Sequence, residues 1–166
     1  MKKIIALSLV VFSLFVGQAN AQVKFSLNLN IGDQPAWGPT GYDRVNYYYL
    51  PDVDAYYDVP NKQFIYQENN RWVNRTSLPA RYRNYDLYSG YKVVVNEQKP
   101  YLRNNFYRTT YGKYKNGRGP KQTIIRDSRE DKYKANRERW DRDRRNDRKD
   151  DRKDNRRDNR PGRHGE

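Results

Sequence analysis

Residues 47–58 read YYYLPDVDAYYD, five tyrosines in twelve residues around one Pro-Asp pair. In an extended chain successive side chains point to opposite faces. A tyrosine doublet in a strand must therefore put one ring on each side of a sheet. Val53, Ala55, Tyr57 and Val59 share one face, and Asp52, Asp54, Tyr56 and Asp58 share the other. This alternation predicts Tyr57 as a core ring and Tyr56 as an outward one. In the run before, Tyr47 and Tyr49 fall on one face and Tyr48 on the other. About half of the rings are expected to be core, because a small domain has little interior and each aromatic side chain buries roughly 150–250 Å². The rest are expected to be available for contact.

Working outward, short strand-like runs appear at about 44–50, 53–59, 63–67, 71–75 and 91–96. Pro51-Asp52, Pro60-Asn61 and Asn69-Asn70 separate the first four. Pro presets φ, and Asn and Asp tolerate tight turns. Upstream, Val23, Phe25, Leu27, Leu29 and Ile31 alternate with polar residues and predict a half-buried strand over 23–31. Gly32–Gly41 then breaks the pattern with Gly and Pro. Turns every eight to ten residues predict a mainly β fold, a small antiparallel meander or barrel-like domain. One or two short helices are expected, from two candidate stretches. One lies within 77–88, with Ser77 as N-cap and Tyr82, Tyr85 and Tyr88 spaced by three. The other lies within 100–111, packing Leu102 and Phe106.

The order YYYLPDVDAYYD, FIYQENNRW, LPARYRNYDLYSGYKVVV and PYLRNNFY resembles a family of short exported Tyr-rich envelope proteins of the Bacteroidota. The resemblance covers roughly residues 42–115 and not the charged segment beyond them. It implies location and modularity, and it carries over no catalytic residue.

Composition divides the chain. Residues 42–114 hold fifteen of the sixteen tyrosines. GKYKNGRGP and the two residues after it (112–122) read as a linker, and 123–166 as a charged tail. That tail mixes basic and acidic residues finely, as in DRDRRNDRKDDRKDNRRDNR, and has almost nothing apolar to bury. It is expected to be partly helical from about 123 to 145, supported by i,i+4 pairs such as Glu130–Lys134 and Glu138–Arg142, and coil or disordered beyond. The N-terminus has Lys2 and Lys3, an apolar run Ile4–Val16, and Ala19-Asn20-Ala21. This pattern predicts a signal peptide over 1–21 and an exported protein, periplasmic or extracellular, starting at Gln22. The apolar run is too short to span a bilayer, and no later segment has the length and apolarity of a span. Residues 22–41 then form an N-terminal strand and loop, and 42–111 the Tyr-rich β domain.

Several chemistries are excluded. There is no cysteine, which removes disulfides, thiol catalysis and thiolate metal sites. The one histidine, His164, lies next to the C-terminus, so Ser-His and Cys-His mechanisms lack their base. Asp52, Asp54 and Asp58 begin like an EF-hand, but Tyr56, Tyr57 and Gln63 occupy positions that need an oxygen ligand, a Gly and a Glu. No catalytic, cofactor-binding or metal-ligating residue is assigned, and no cofactor is expected. The net charge of +14 favours polyanionic partners. Arg pairs well with carboxylate and phosphate, whereas export and the acids of the tail disfavour nucleic acid. The expected function is a non-enzymatic envelope interaction module for a protein, an anionic glycan or a lipid surface. Its candidate binding surface comprises Tyr48, Tyr56, Trp72, Arg71, Arg75 and Arg81. The alternative is a carboxylate-based hydrolase of envelope glycans, which needs two facing carboxyl groups.

Overall fold

The computed structural model describes residues 29–158. Five strands form one antiparallel sheet: β1 Tyr47–Leu50, β2 Ala55–Asp58, β3 Gln63–Glu68, β4 Arg71–Arg75 and β5 Val93–Val95. Their order is β4-β3-β2-β1-β5, so β4 and β5 are the edges of an open sheet. The turns are where the sequence puts them. Asn69 and Asn70 both take positive φ, at 51° and 59°, the requirement of a two-residue hairpin turn with the right twist. Asp58 accepts the Asn61 N–H and its Nδ2 at 2.9 and 3.0 Å, closing the β2–β3 turn.

The tyrosine doublets obey the pleat. Tyr48 pairs in register with Tyr57 and Tyr49 with Tyr56. One face of the sheet carries Tyr48, Leu50, Ala55, Phe64 and Tyr66, packed with Trp37, Val45 and Val53. The opposite face carries Tyr49, Tyr56, Ile65, Val93 and Val95, packed with Tyr107. Both faces are therefore core. The assignment of Tyr48 and Tyr56 as outward rings is corrected: each is 0% exposed, and Tyr57, expected inside, is the one that is partly exposed. Alternation within a strand separates two faces but does not say that one of them is wet. Here distant segments cover each side.

The second face is covered by helix α1, Asn104–Tyr111, preceded by a 3₁₀ turn at Pro100–Arg103. The expected helix over 100–111 thus forms, but it packs Tyr101 and Tyr107 inward. Leu102 and Phe106 point out, 67% and 48% exposed. The first face is covered by two irregular segments. Residues 77–91 form only a 3₁₀ turn, Ala80–Tyr82, in place of the expected helix, and lay Leu78, Tyr82, Tyr85, Leu87 and Tyr88 on the sheet. Residues 29–46 supply Trp37 and Val45. The strand expected over 23–31 falls mostly outside the described residues, and its described end is a 3₁₀ turn, Ile31–Asp33.

The chain from 112 to 140 packs on this body. Thr40 N–H donates to the Thr123 carbonyl at 2.9 Å, and Pro39 bridges Ile124 in β fashion. Asn116 N–H donates to Asp52 Oδ1 at 2.6 Å. Ile125 and Tyr133 are fully buried. Helix α2, Lys134–Asp158, begins at this anchored turn and runs well past the expected end near 145. Beyond Trp140 its residues through Lys149 are exposed on every side, as expected of a helix carried by alternating charge. Among the described residues no helix is long and apolar enough to cross a membrane.

Candidate functional site

The hydroxyls of the three fully buried strand tyrosines are all bonded within the protein. Tyr48 donates to Gln34 Oε1 at 3.2 Å, Tyr49 to Asp54 Oδ1 at 3.0 Å and Tyr56 to Asn104 Oδ1 at 2.8 Å. Burial, reinforced by the carboxylate of Asp54 at Tyr49 and Tyr56, pushes these phenols well above their ordinary range. Burial likewise raises Tyr48. These rings have nothing left to offer a ligand. The remaining residues of the predicted surface are scattered. Trp72 packs edge-on to Tyr56, with centroids 6.0 Å apart, and tilts against Tyr101. Arg75 pairs with Glu68 at 3.3 Å, and exposed Arg71 sits opposite Glu68 in the β3–β4 register. Arg81 stacks over its neighbour Tyr82 at 4.8 Å. Arg71, Arg75 and Trp72 share β4, and the structure does not gather the six into one patch.

The three aspartates of the EF-hand-like spacing are likewise engaged separately. Asp52 accepts the Tyr85 hydroxyl at 2.9 Å, Asp54 accepts from Tyr49 and Asn104, and Asp58 closes its turn. Among the described residues no group of three or more His, Cys, Asp or Glu side chains is placed to hold a metal ion.

A different region brings aromatic rings and cations together at the border of open clefts. At its centre Arg126 stacks over the Tyr88 ring at 4.6 Å and reaches Trp140 at 5.7 Å. Tyr88 and Trp140 meet edge to face at 6.4 Å, and Arg144 lies over Trp140 at 5.1 Å. Arg126 also forks Asp127 at 2.7 and 3.0 Å, which fixes its plane. Each component comes from a different segment: Tyr88 from the loop before β5, Arg126 from the 3₁₀ turn Ile125–Asp127, and Trp140 from the second turn of α2.

Two clefts open on either side of Tyr88. The first, of about 310 Å³, is lined by Trp37, Tyr57, Tyr88 and Trp140, with Lys62 and Arg139 among its polar residues. Trp37 and Tyr57 form an edge-to-face pair 4.8 Å apart. Asn136 forms part of the lining. Its Nδ2 donates to the carbonyls of Ile31 and Gln34 at 2.8 and 2.6 Å, stitching α2 to the N-terminal loop. Its Oδ1 is buried without a hydrogen-bond partner among the described residues. Asp33 and Asp143 also line this cleft. The second cavity, of about 400 Å³, is lined by Tyr88, Tyr91, Lys92, Lys121, Arg126 and Asp127 among others. Its lining holds three cations and one acid. Lys92 is 2% exposed, and burial pulls its amine down to about 8 against the opposing fields of Asp86 and Asp52.

None of Trp37, Tyr88, Lys92, Arg126, Asn136 and Trp140 belongs to the predicted surface. The signal for them in the sequence is thin: Tyr88 stands out only as one of three tyrosines spaced by three, and Trp140 as the last aromatic of a charged run. Compared with known protein families, with curated proteins and with solved structures, the chain matches none.

Proposed function

We propose that this protein is an exported, non-enzymatic interaction module that binds an anionic surface polymer of the envelope. The observation that carries this reading is the pair of clefts sharing Tyr88, one walled by aromatic rings and the other rich in cations. Rings present flat apolar area to the faces of sugar units. The Arg126 guanidinium, held flat by stacking on Tyr88 and by Asp127, keeps its Nη1 hydrogens for a carboxylate or phosphate. The exposed stretch 141–149 of α2 supports the same reading by presenting Arg142, Arg144, Arg145, Arg148 and Lys149. Export rests on the Lys2–Ala21 pattern, which lies outside the described residues; N-terminal sequencing of protein from the producing cell is expected to begin at Gln22.

The test is calorimetric titration of the chain with polygalacturonate, beside neutral dextran of similar length. Binding to the acidic polymer is expected to weaken at least tenfold in Trp140→Ala and Arg126→Ala, and to weaken as salt rises. Equal binding of dextran, or acidic-polymer binding unchanged by both substitutions, would refute the proposal. A second reading, a carboxylate-based glycan hydrolase, draws on one observation: Asp33 and Asp143 line the same aromatic cleft. It predicts release of reducing ends that Asp33→Asn and Asp143→Asn each abolish.

A further inference from the structure

Lys92 lines the second cavity from the segment that leads into β5. Its backbone is clamped from both sides by one side chain: Lys92 N–H donates to Gln122 Oε1 at 2.9 Å, and Gln122 Nε2 donates to the Lys92 carbonyl at 2.8 Å. Its side chain is almost wholly buried. Among the described residues its amine has neither a hydrogen bond nor an ion pair, and it keeps contact with open space. The acids whose fields favour its charge, Asp86 and Asp52, also hold other partners. Asp86 Oδ1 accepts the Tyr88 N–H at 2.8 Å. Asp52 accepts from Tyr85 and from the Asn116 N–H. Asp127 is held by Arg126.

The cavity that Lys92 lines is ready for a small guest. Its volume of about 400 Å³ falls within the range of ligand pockets, roughly 300–1,000 Å³. Gly90, Gly117 and Gly119 are among its lining residues, and the Gly119 backbone lies close against Tyr91, where a Cβ would sit 2.4 Å from the ring. Lys121 adds a second cation with no ion pair among the described residues. We propose that this cavity is a binding site for a single oxyanion group, a carboxylate or a phosphate, with Lys92 as its buried cation. As a subsite it rests on the polymer reading above: it takes one acidic group of a chain whose sugar faces cross the neighbouring aromatic cleft.

The experiment uses the full chain with isotope-labelled lysine side chains. The Lys92 amine is followed by NMR across pH, alone, with inorganic phosphate and with monomeric galacturonate, at constant ionic strength. Either anion is expected to raise the Lys92 titration midpoint by at least one pH unit, a tenfold change in affinity on protonation. The stronger of the two tells a phosphate from a carboxylate ligand. Lys92→Met is expected to lose at least tenfold in affinity for that anion while unfolding at the same or higher denaturant concentration. A structural lysine would give the opposite pattern. A midpoint unmoved by both anions overturns the proposal without any variant, and so does a Lys92→Met protein that binds as wild type. Anion binding at Lys92 without polygalacturonate binding would leave this site standing and remove the polymer reading. Polymer binding with an unmoved Lys92 would do the reverse.

Discussion

The tyrosines of the sheet and the aromatic wall around Tyr88 are made of the same kind of residue and differ in how far the fold encloses them. Tyr48, Tyr49 and Tyr56 are fully buried, and each hydroxyl ends on a partner inside the fold. Tyr88 and Trp140 are partly exposed, stacked with cations, and border open clefts. Richness in aromatic rings therefore does not mark a binding surface. What separates the two regions is exposure: the strand rings are enclosed with their hydroxyls bonded, whereas Tyr88 and Trp140 keep part of their surface open. In a domain this small the sheet consumes most of its rings on both faces, and the proposed binding surface sets Tyr57 of β2 beside rings and cations from loop and helix segments.

The largest expected effect falls on the sheet. Tyr48→Ala and Tyr56→Ala should each cost about 3–5 kcal/mol, the range for removing a buried aromatic ring, measured by denaturant unfolding. Costs under about 1 kcal/mol, the scale of surface substitutions, would return these rings to the surface. Tyr56→Phe should cost less, about 1–3 kcal/mol, because it leaves Asn104 Oδ1 without its donor.

A pH profile sets the two regions against each other. Lys92 titrates near 8 when folded and at its ordinary 10.5 when unfolded. Between those values the unfolded chain holds a proton that the folded chain lacks, so stability should rise with pH, by up to about 3 kcal/mol. The strand tyrosines are raised by burial. Above about pH 10 the unfolded chain loses protons that the folded chain keeps, so stability should fall. The expected curve climbs from about pH 8 and turns over near 10. Lys92→Met should remove the climb and keep the fall. A wild-type profile that stays flat from about pH 8 to about pH 10 would contradict the burial of Lys92.

Smaller effects belong to the wall. Asn136→Ala should cost about 1–3 kcal/mol, since it strands the Ile31 and Gln34 carbonyls, read as a lowered unfolding midpoint. Arg126→Ala should cost only about 1 kcal/mol, the scale of its stacking on exposed rings, yet remove most polymer affinity in calorimetry. Large destabilisation without loss of binding would reverse the distinction drawn between the two regions.

The strands are legible in the sequence because their information is local. Alternation, Asn69-Asn70 and the Pro-Asp and Pro-Asn breaks define hairpins from neighbours a few residues apart. Strand identity and turn position follow from such spacing, and so does the rule that a Tyr doublet splits across a sheet. The cover of each face is not legible in this way. Tyr56 finds Asn104 forty-eight residues away, and Asn136 reaches Gln34 across one hundred and two. Carboxylates at 52, 54 and 58 give their face a polar look, although they serve turns and tyrosine hydroxyls. GKYKNGRGP has a linker's composition, yet Gly119 is what lets the backbone press on Tyr91. The candidate site is the least legible part. Its rings and cations are singletons spread from Trp37 to Arg144, and only the packing of α2 against the N-terminal loop brings them together.

The most direct test of the distinction between consumed and available rings is tyrosine nitration of the folded protein, mapped by peptide mass spectrometry with and without polygalacturonate. Tyr48, Tyr49 and Tyr56 are expected to stay unmodified, and Tyr42 and Tyr88 to react. The polymer should protect Tyr88 and leave Tyr42 reactive. Nitration of Tyr48 or Tyr56 in the native state, or a Tyr88 indifferent to the polymer, would contradict that distinction.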